Sequence, residues 1–259
     1  MPQYFLGIDV GSVTTKAVII NTDHVPVGSS MVPTGFSVVT AAEQVTRLAL
    51  DHARIANDSI SKTIATGYGR NLVPSANAQI TEITCHARGA FEKVRQPLTL
   101  IDLGGQDSKA ISISDIGKVN QFIMNDRCAA GTGRFLEVMS RILETDLDHM
   151  AKMAMNMAPH ATINNMCTVF AESEVVGLIA QGANREAIAK GLCWSVAERV
   201  SAMAKKVGIN GLTYISGGVA RNQAVVDALT TLLDKPVQII DSPQLNGAYG
   251  AALLASESM

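Results

Sequence analysis

Aromatic residues are scarce in this chain: one Trp, four Tyr and six Phe among 259 residues. Apolar residues still make up 47%, so the core is aliphatic and a disordered chain is excluded. An excess of charge is also missing. The net charge of −2 leaves no basic stripe of the kind nucleic-acid binding needs, and no nucleic-acid partner is expected. No apolar run approaches the ~18 residues of a membrane span, so no membrane association is expected. "YFLGIDVG" follows the start directly, without a charged stretch and a long apolar run. No signal peptide is therefore expected, and the expected location is the cytoplasm. Cysteines number four, Cys85, Cys128, Cys167 and Cys193. None forms a C-x-x-C pair, which argues against a zinc ribbon or a thioredoxin-type motif, and a cytosolic chain has little use for disulfides. The phosphate loop G-x-x-x-x-G-K-[ST] and the Rossmann fingerprint are both absent.

What is present is a repeated pattern. "YFLGIDV", "TTKAVIINT" and "VPVGSSMVPT" read as an antiparallel meander of three strands. "TAAEQVTRLALDHARI" has apolar residues at helical spacing, with Thr40 as its cap. "SKTIATGYG" reads as a strand and "TEITCHARGAFEKV" as a helix. The pattern then restarts: "LTLIDLGGQDSKAISIS" is strand, turn and strand, and "KVNQFIMND" is a third strand. Helices occupy roughly 133–207, followed by strand "LTYISGG", helix "RNQAVVDALTTLLD", strand "PVQIID" and a closing small-residue helix "NGAYGAALLAS". Residues 7–20 lie over residues 100–113 with Asp9 on Asp102, Gly11 on Gly104 and Lys16 on Lys109. This register implies a duplicated lobe, with lobes at 1–96 and 97–259.

A strand ending in Asp, then Gly and small hydroxyl residues, suits nucleotide phosphates. Glycine lets the backbone approach closely, and N–H groups and hydroxyls can point at oxygens. The carboxylate can hold Mg²⁺ through water or orient an attacking water. Two such turns occur, Asp9-Val10-Gly11-Ser12 and Asp102-Leu103-Gly104-Gly105. Asp9, Asp102 and Gln106 are the candidates for Mg²⁺ or water positioning, with the two aspartates unranked. Gly11, Ser12, Val13, Thr14, Thr15, Lys16, Gly104 and Gly105 are the phosphate candidates. Gly217, Gly218 and Val219 form a strand-to-helix turn that can pass under a purine and ribose. Gly131, Thr132 and Gly133 make a further turn at a helix N-terminus, where the dipole favours anions.

These motifs resemble those of the acetate kinase, sugar kinase, Hsp70 and actin superfamily. "GIDVGSVTTK" and "IDLGGQDSK" are similar to its two phosphate motifs, and "SGGVARN" to its adenosine motif. "ATGYGRN", "EITCHARGA", "NDRCAAGTGRFLE" and "CTVFAESEV" narrow the resemblance to one branch: ATP-dependent activators of 2-hydroxyacyl-CoA dehydratases, similar to the activating subunits of benzoyl-CoA reductases. The likeness covers essentially the whole chain. It implies an α/β fold of two RNase H-like, actin/Hsp70-like lobes. Each has a mixed five-stranded sheet flanked by helices, with nucleotide between the lobes.

The resemblance also implies a homodimer in which Cys128 and Cys167 of each subunit hold one [4Fe–4S] cluster. Physical chemistry agrees, since four thiolates are needed and a two-fold axis doubles two. Each of these cysteines precedes an apparent helix start, which favours thiolate. The implied activity is ATP-driven transfer of an electron, with Mg²⁺ and ATP/ADP as ligands. Ferredoxin or flavodoxin is the implied donor, and a dehydratase or reductase the acceptor. Cys85, Cys193 and His86 are expected to be structural, because neighbouring helix positions point about 100° apart and chelate poorly. "MAKMAMNM" at 150–157 is expected to be core or a soft interface. Glu172 and Glu174 are expected to be a solvated first turn. Two other classes remain open: a small-molecule kinase of the same fold, and an ATP-sensing binding module.

Overall fold

The computed structural model describes residues 3–155, 159–164 and 167–258. Two compact units divide the chain. One comprises Met1–Pro97, Ile113–Val119 and Asp241–Met259; the other comprises Leu98–Ser112 and Asn120–Ile240.

The first unit begins with the antiparallel meander β1 (Tyr4–Val10), β2 (Thr14–Ile20) and β3 (Pro26–Pro33). Helix α1 (Val38–Ala53) follows. It starts two residues before Thr40, because the Ser37 hydroxyl is the cap and accepts the Thr40 N–H. Strand β4 (Ile60–Thr66) runs parallel to β1, and the short β5 (Ala78–Gln79) runs parallel to β4. Two residues carry too little pattern to announce β5 in the sequence. Helix α2 (Glu82–Val94) is capped by Thr81.

In the second unit, β6 (Leu98–Leu103), β7 (Ser108–Ile113) and β8 (Val119–Asn125) repeat the opening three strands. Four helices come next: α3 (Gly133–Ile142), α4 (Leu147–Ala154), α5 (Thr168–Ala180) and α6 (Arg185–Val207). Then come β9 (Leu212–Ser216), α7 (Gln223–Leu233), β10 (Val237–Ile239) and α8 (Asn246–Glu257). The sheets have the orders β3-β2-β1-β4-β5 and β10-β9-β6-β7-β8. Read from opposite edges these are one topology, so the duplication inferred from Asp9 and Asp102 is a duplication of fold. Two mixed five-stranded sheets flanked by helices make this the actin/Hsp70-like architecture.

Strand alternation distributes the core. Leu6, Ile8 and Val10 face Ala41, Val45 and Ala49 of α1. Phe5 belongs to the opposite cluster with Val18, Ile64, Ala248, Ala252 and Leu253. Gly7 lies on that second face too, where a Cβ would stand 2.0 Å from the Ala248 carbonyl oxygen. Helix α8 thus rests on β1 backbone to backbone, although its sequence follows the second repeat. A single cut at 96/97 does not describe this packing, because Asp241–Met259 belongs to the first unit, where α8 closes on Gly7 and Gly89. The second unit has its own core of Ile101, Leu103 and Ile215 under Phe135, Met139, Val196 and Leu229. Met150 is buried there and Met153 packs against it, while Met155 is exposed. Positions 156 and 157 of the methionine run lie outside the described residues.

Candidate functional site

Asp9 ends the β1 face that meets α8 and is 4% exposed. Its antiparallel partner is Lys16, whose Nζ lies 3.3 Å from Asp9 Oδ2. Opposed residues share a face, so the seven-residue spacing of Asp and Lys becomes an ion pair. The turn between them is closed by Gly11 N–H donating to Thr14 O, 3.1 Å. Ser12 and Val13 are exposed at its tip, and Gly11 and Thr14 are half-buried. Thr15 points the other way. It is fully buried with its hydroxyl 2.9 Å from that of Thr34, which donates onward to Gly11 O, 2.7 Å. Thr15 therefore braces the turn from behind. Gly67, at φ 92°, carries the end of β4 past Asp9, and a Cβ there would stand 2.7 Å from Asp9 Oδ1.

The second turn repeats the first with more bonds. Asp102 is 3% exposed. Ser216, its neighbour on parallel β9, donates its hydroxyl to Asp102 Oδ1 at 2.7 Å. Lys109 Nζ reaches Asp102 Oδ2 at 3.2 Å and Asp107 Oδ2 at 2.7 Å. Gly104 N–H donates to Asp107 O, 3.0 Å. Gln106 is exposed at the tip, and Gly104 and Gly105 are half-buried. Gly217, at φ 86°, passes so close that a Cβ would meet Leu103 O at 2.2 Å. A 3₁₀ turn over Gly218–Arg221 follows, with Gly218 exposed and Val219 buried.

The cysteine turn joins this second turn. Asn125 Nδ2 donates to Cys128 O, 2.9 Å. Thr132 gives both its N–H and its hydroxyl to Ala129 O, at 3.0 and 2.6 Å. Gly131 has φ 85° and lies over the Arg199 side chain. Gly133 N–H then donates to Gly104 O at 2.9 Å, and Arg134 N–H to Gly105 O at 2.7 Å. These first-turn donors of α3 are thus occupied by protein carbonyls. The glycine turn fastens the Cys128 segment to the Asp102 turn.

Cys128 is half-buried, and half-buried Cys167 is the N-cap residue of α5. After Cys167, α5 leaves Val169, Phe170, Val176 and Ile179 exposed to water. Glu172 is exposed, whereas Glu174 Oε2 accepts the Asn164 N–H and ties down the approach to Cys167. Cys85 and Cys193 are buried. Burial pushes both thiols up to about 12, against opposing hydrogen bonds with Thr66 and Asn222. Among the described residues, no three His, Cys, Asp or Glu side chains come together as a metal set. The half-buried thiols of one chain, Cys128 and Cys167, number two. As thiols open to ligands they suit a four-thiolate cluster by their chemistry, supplying two of its four ligands.

Residues 6–255 match the sequence pattern of one ATPase family. The chain belongs to the BadF/BadG/BcrA/BcrD ATPase family. Within the family, it is 45% identical to the activator of lactoyl-CoA dehydratase from Anaerotignum propionicum over 99% of this chain and 98% of that one. The structure of the activator of 2-hydroxyisocaproyl-CoA dehydratase from Clostridium difficile with bound ADPNP matches with a TM-score of 0.93 and 39% identity. That match covers 99% of this chain and 95% of the other. Component A of the (R)-2-hydroxyglutaryl-CoA dehydratase of Acidaminococcus fermentans matches with a TM-score of 0.94 and 40% identity, over 99% and 98%.

Three residues at these sites, Ser216, Asp107 and Asn246, were not singled out from the sequence, and a fourth, His86, was expected to be structural only. Ser216 and Asp107 satisfy Asp102 and Lys109. Asn246 and His86 stand at the Asp9 end of α8 and α2, where Asn246 Nδ2 donates to His86 O, 3.0 Å. Glycines at 7, 89, 247 and 250 were the available signal, since glycine inside regular elements marks close backbone approach.

Proposed function

We propose that this protein is an ATP-hydrolysing iron–sulfur activator. It passes a low-potential electron from reduced ferredoxin or flavodoxin to a 2-hydroxyacyl-CoA dehydratase or a related reductase, and works in the cytoplasm. Membership in an ATPase family and 45% identity to a lactoyl-CoA dehydratase activator support the activity. Mg²⁺-ATP is bound by the two aspartate turns. Asp9 and Asp102 serve the metal or the attacking water, with Gln106 beside the latter. Lys16 with the Gly11–Thr14 and Gly104–Gly105 backbones serves the phosphates, and Gly217–Val219 serves the nucleoside. Cys128 and Cys167 from each of two subunits hold one [4Fe–4S] cluster. When bound, that group supplies the one-electron carrier.

The observation that carries this reading is the pair of hydrogen bonds from Gly133 and Arg134 to Gly104 and Gly105. Any shift of the Asp102 turn between ATP and ADP pulls directly on the segment holding Cys128. Nucleotide states that favour different turn positions thereby bias the cysteine environment. The exposed apolar residues of α5 beside Cys167 supply a surface for the second subunit, and Gly177 on that helix has nothing within 4 Å of its Cβ position. The test is iron and sulfide content per dimer with an oxygen-free absorption spectrum. Four irons and four sulfides are expected per dimer, with Cys128→Ala removing the brown colour and sparing nucleotide binding. Unchanged iron in Cys128→Ala refutes the ligand assignment. A colourless, iron-free protein that phosphorylates a sugar refutes the function.

A further inference from the structure

The α2–α8 contact places one more side chain at the Asp9 centre. Gly250 lets α8 reach the Cys85 carbonyl oxygen, which a Cβ would meet at 1.7 Å, and Gly89 lets α2 approach Asn246 O, 2.5 Å from a Cβ. Asn246 Nδ2 holds His86 O. With its backbone clamped this way, His86 is 6% exposed. Its ring points to the gap at Gly247: a Cβ there would stand 2.7 Å from His86 Nε2 and 3.1 Å from Asp9 Oδ2. Ring and carboxylate therefore share one small gap that exists because position 247 has no side chain. Lys16 contacts the same oxygen, Oδ2, at 3.3 Å. The other oxygen, Oδ1, lies over bare Gly67.

We propose that His86 is a positioning residue for ATP hydrolysis. Its imidazole, wedged at Gly247, and Lys16 fix the rotation of the Asp9 carboxylate, so that Oδ1 keeps one direction over Gly67. This inference rests on the reading of Asp9 as a residue of the hydrolytic site. A buried ring beside one carboxylate oxygen restricts χ2 of the aspartate. Orientation of a group that acts on metal or water is worth about 10- to 100-fold when its outer partner is lost.

The test compares His86→Ala, His86→Gln, Gly247→Ala and Asp9→Asn in the purified protein. Readouts are steady-state ATP hydrolysis and the rise in melting temperature produced by Mg²⁺-ADP. His86→Ala and Gly247→Ala should each lower kcat about tenfold or more while KM for ATP stays within about twofold. The ADP-induced rise should persist in both. His86→Gln, which restores a polar group of similar reach, should recover much of the loss. Gly247→Ala leaves both side chains in place and crowds the gap they share, so it reads the same effect if His86→Ala does not fold. A kcat within twofold of the parent in Gly247→Ala or His86→Ala overturns the proposal, as does His86→Gln no better than alanine. Asp9→Asn separates the two readings. If it hydrolyses ATP at the parental rate, Asp9 is not a site residue and the inference falls with it. If it is inactive while the His86 variants are not, only the role of His86 is refuted.

Discussion

Lys16 and Lys109 hold equivalent places in the duplicated segments, yet replacing each by methionine should have different consequences. The Lys109 side chain is 2% exposed and its Nζ serves two carboxylates, Asp102 at 3.2 Å and Asp107 at 2.7 Å. Methionine matches its length but leaves buried Asp102 and half-buried Asp107 without this shared cation. Removing one partner of a buried ion pair costs about 3–5 kcal/mol. For a chain of this size, each kcal/mol moves the melting temperature by about 2–4 °C, so Lys109→Met should melt roughly 10 °C low. Lys16 is 14% exposed and makes one contact with Asp9 at 3.3 Å. Loss of that single bond, from a lysine that is itself partly open to water, should cost only about 1–2 kcal/mol. Its expected defect is functional: the Mg²⁺-ADP-induced rise in melting temperature should shrink in Lys16→Met and persist on a lowered baseline in Lys109→Met. Thermal melts followed by circular dichroism, with and without Mg²⁺-ADP, measure both. The reasoning fails if Lys109→Met melts within about 2 °C of the parent, or if Lys16→Met is the less stable of the two.

Thiol reactivity and glycine packing offer two more checks. In iron-free folded protein at pH 8, a disulfide reagent should titrate two thiols quickly, Cys128 and Cys167. Cys85 and Cys193, with thiols pushed up to about 12 by burial, should react only after unfolding; four fast thiols would refute the burial argument. Gly250→Ala should destabilise by about 3 kcal/mol or more in a urea titration, since its Cβ would stand 1.7 Å from Cys85 O and backbone, unlike a side-chain tip, has little room to give. Gly177→Ala, with open space around it, is the control and should not lower monomer stability.

Much of this molecule is legible from local pattern. The repeat of Asp, Gly and Lys announces the two equivalent sheets, and period-2 and helical spacing place nine of the ten strands among the described residues, with the helices between 133 and 207 read only as one helical stretch. Cys85 and Cys193 read as buried residues because their neighbours carry helix-interior patterns, and both are buried. Less legible is anything that depends on which backbone lies against which. Thr15 reads as a phosphate hydroxyl, yet strand alternation turns it to the α1 face. The Gly131–Gly133 turn reads as an anion site, yet the carbonyls of Gly104 and Gly105 take the N–H groups of Gly133 and Arg134 at the start of α3. His86 reads as a bland helix residue until α8 is laid across α2.

The division has a simple cause. Sequence by itself determined what repeats and what alternates: the duplicated topology, the aspartates at strand ends, and two cysteines ahead of helix starts. Those features depend on chain-local geometry, at 3.6 residues per helical turn and two per strand repeat. Tertiary structure alone decided which lysine is sealed from water, which donors are left open and which histidine meets Asp9. Those outcomes depend on contacts between segments as distant as Cys85 and Gly250, where a single missing methyl group sets how closely two helices approach.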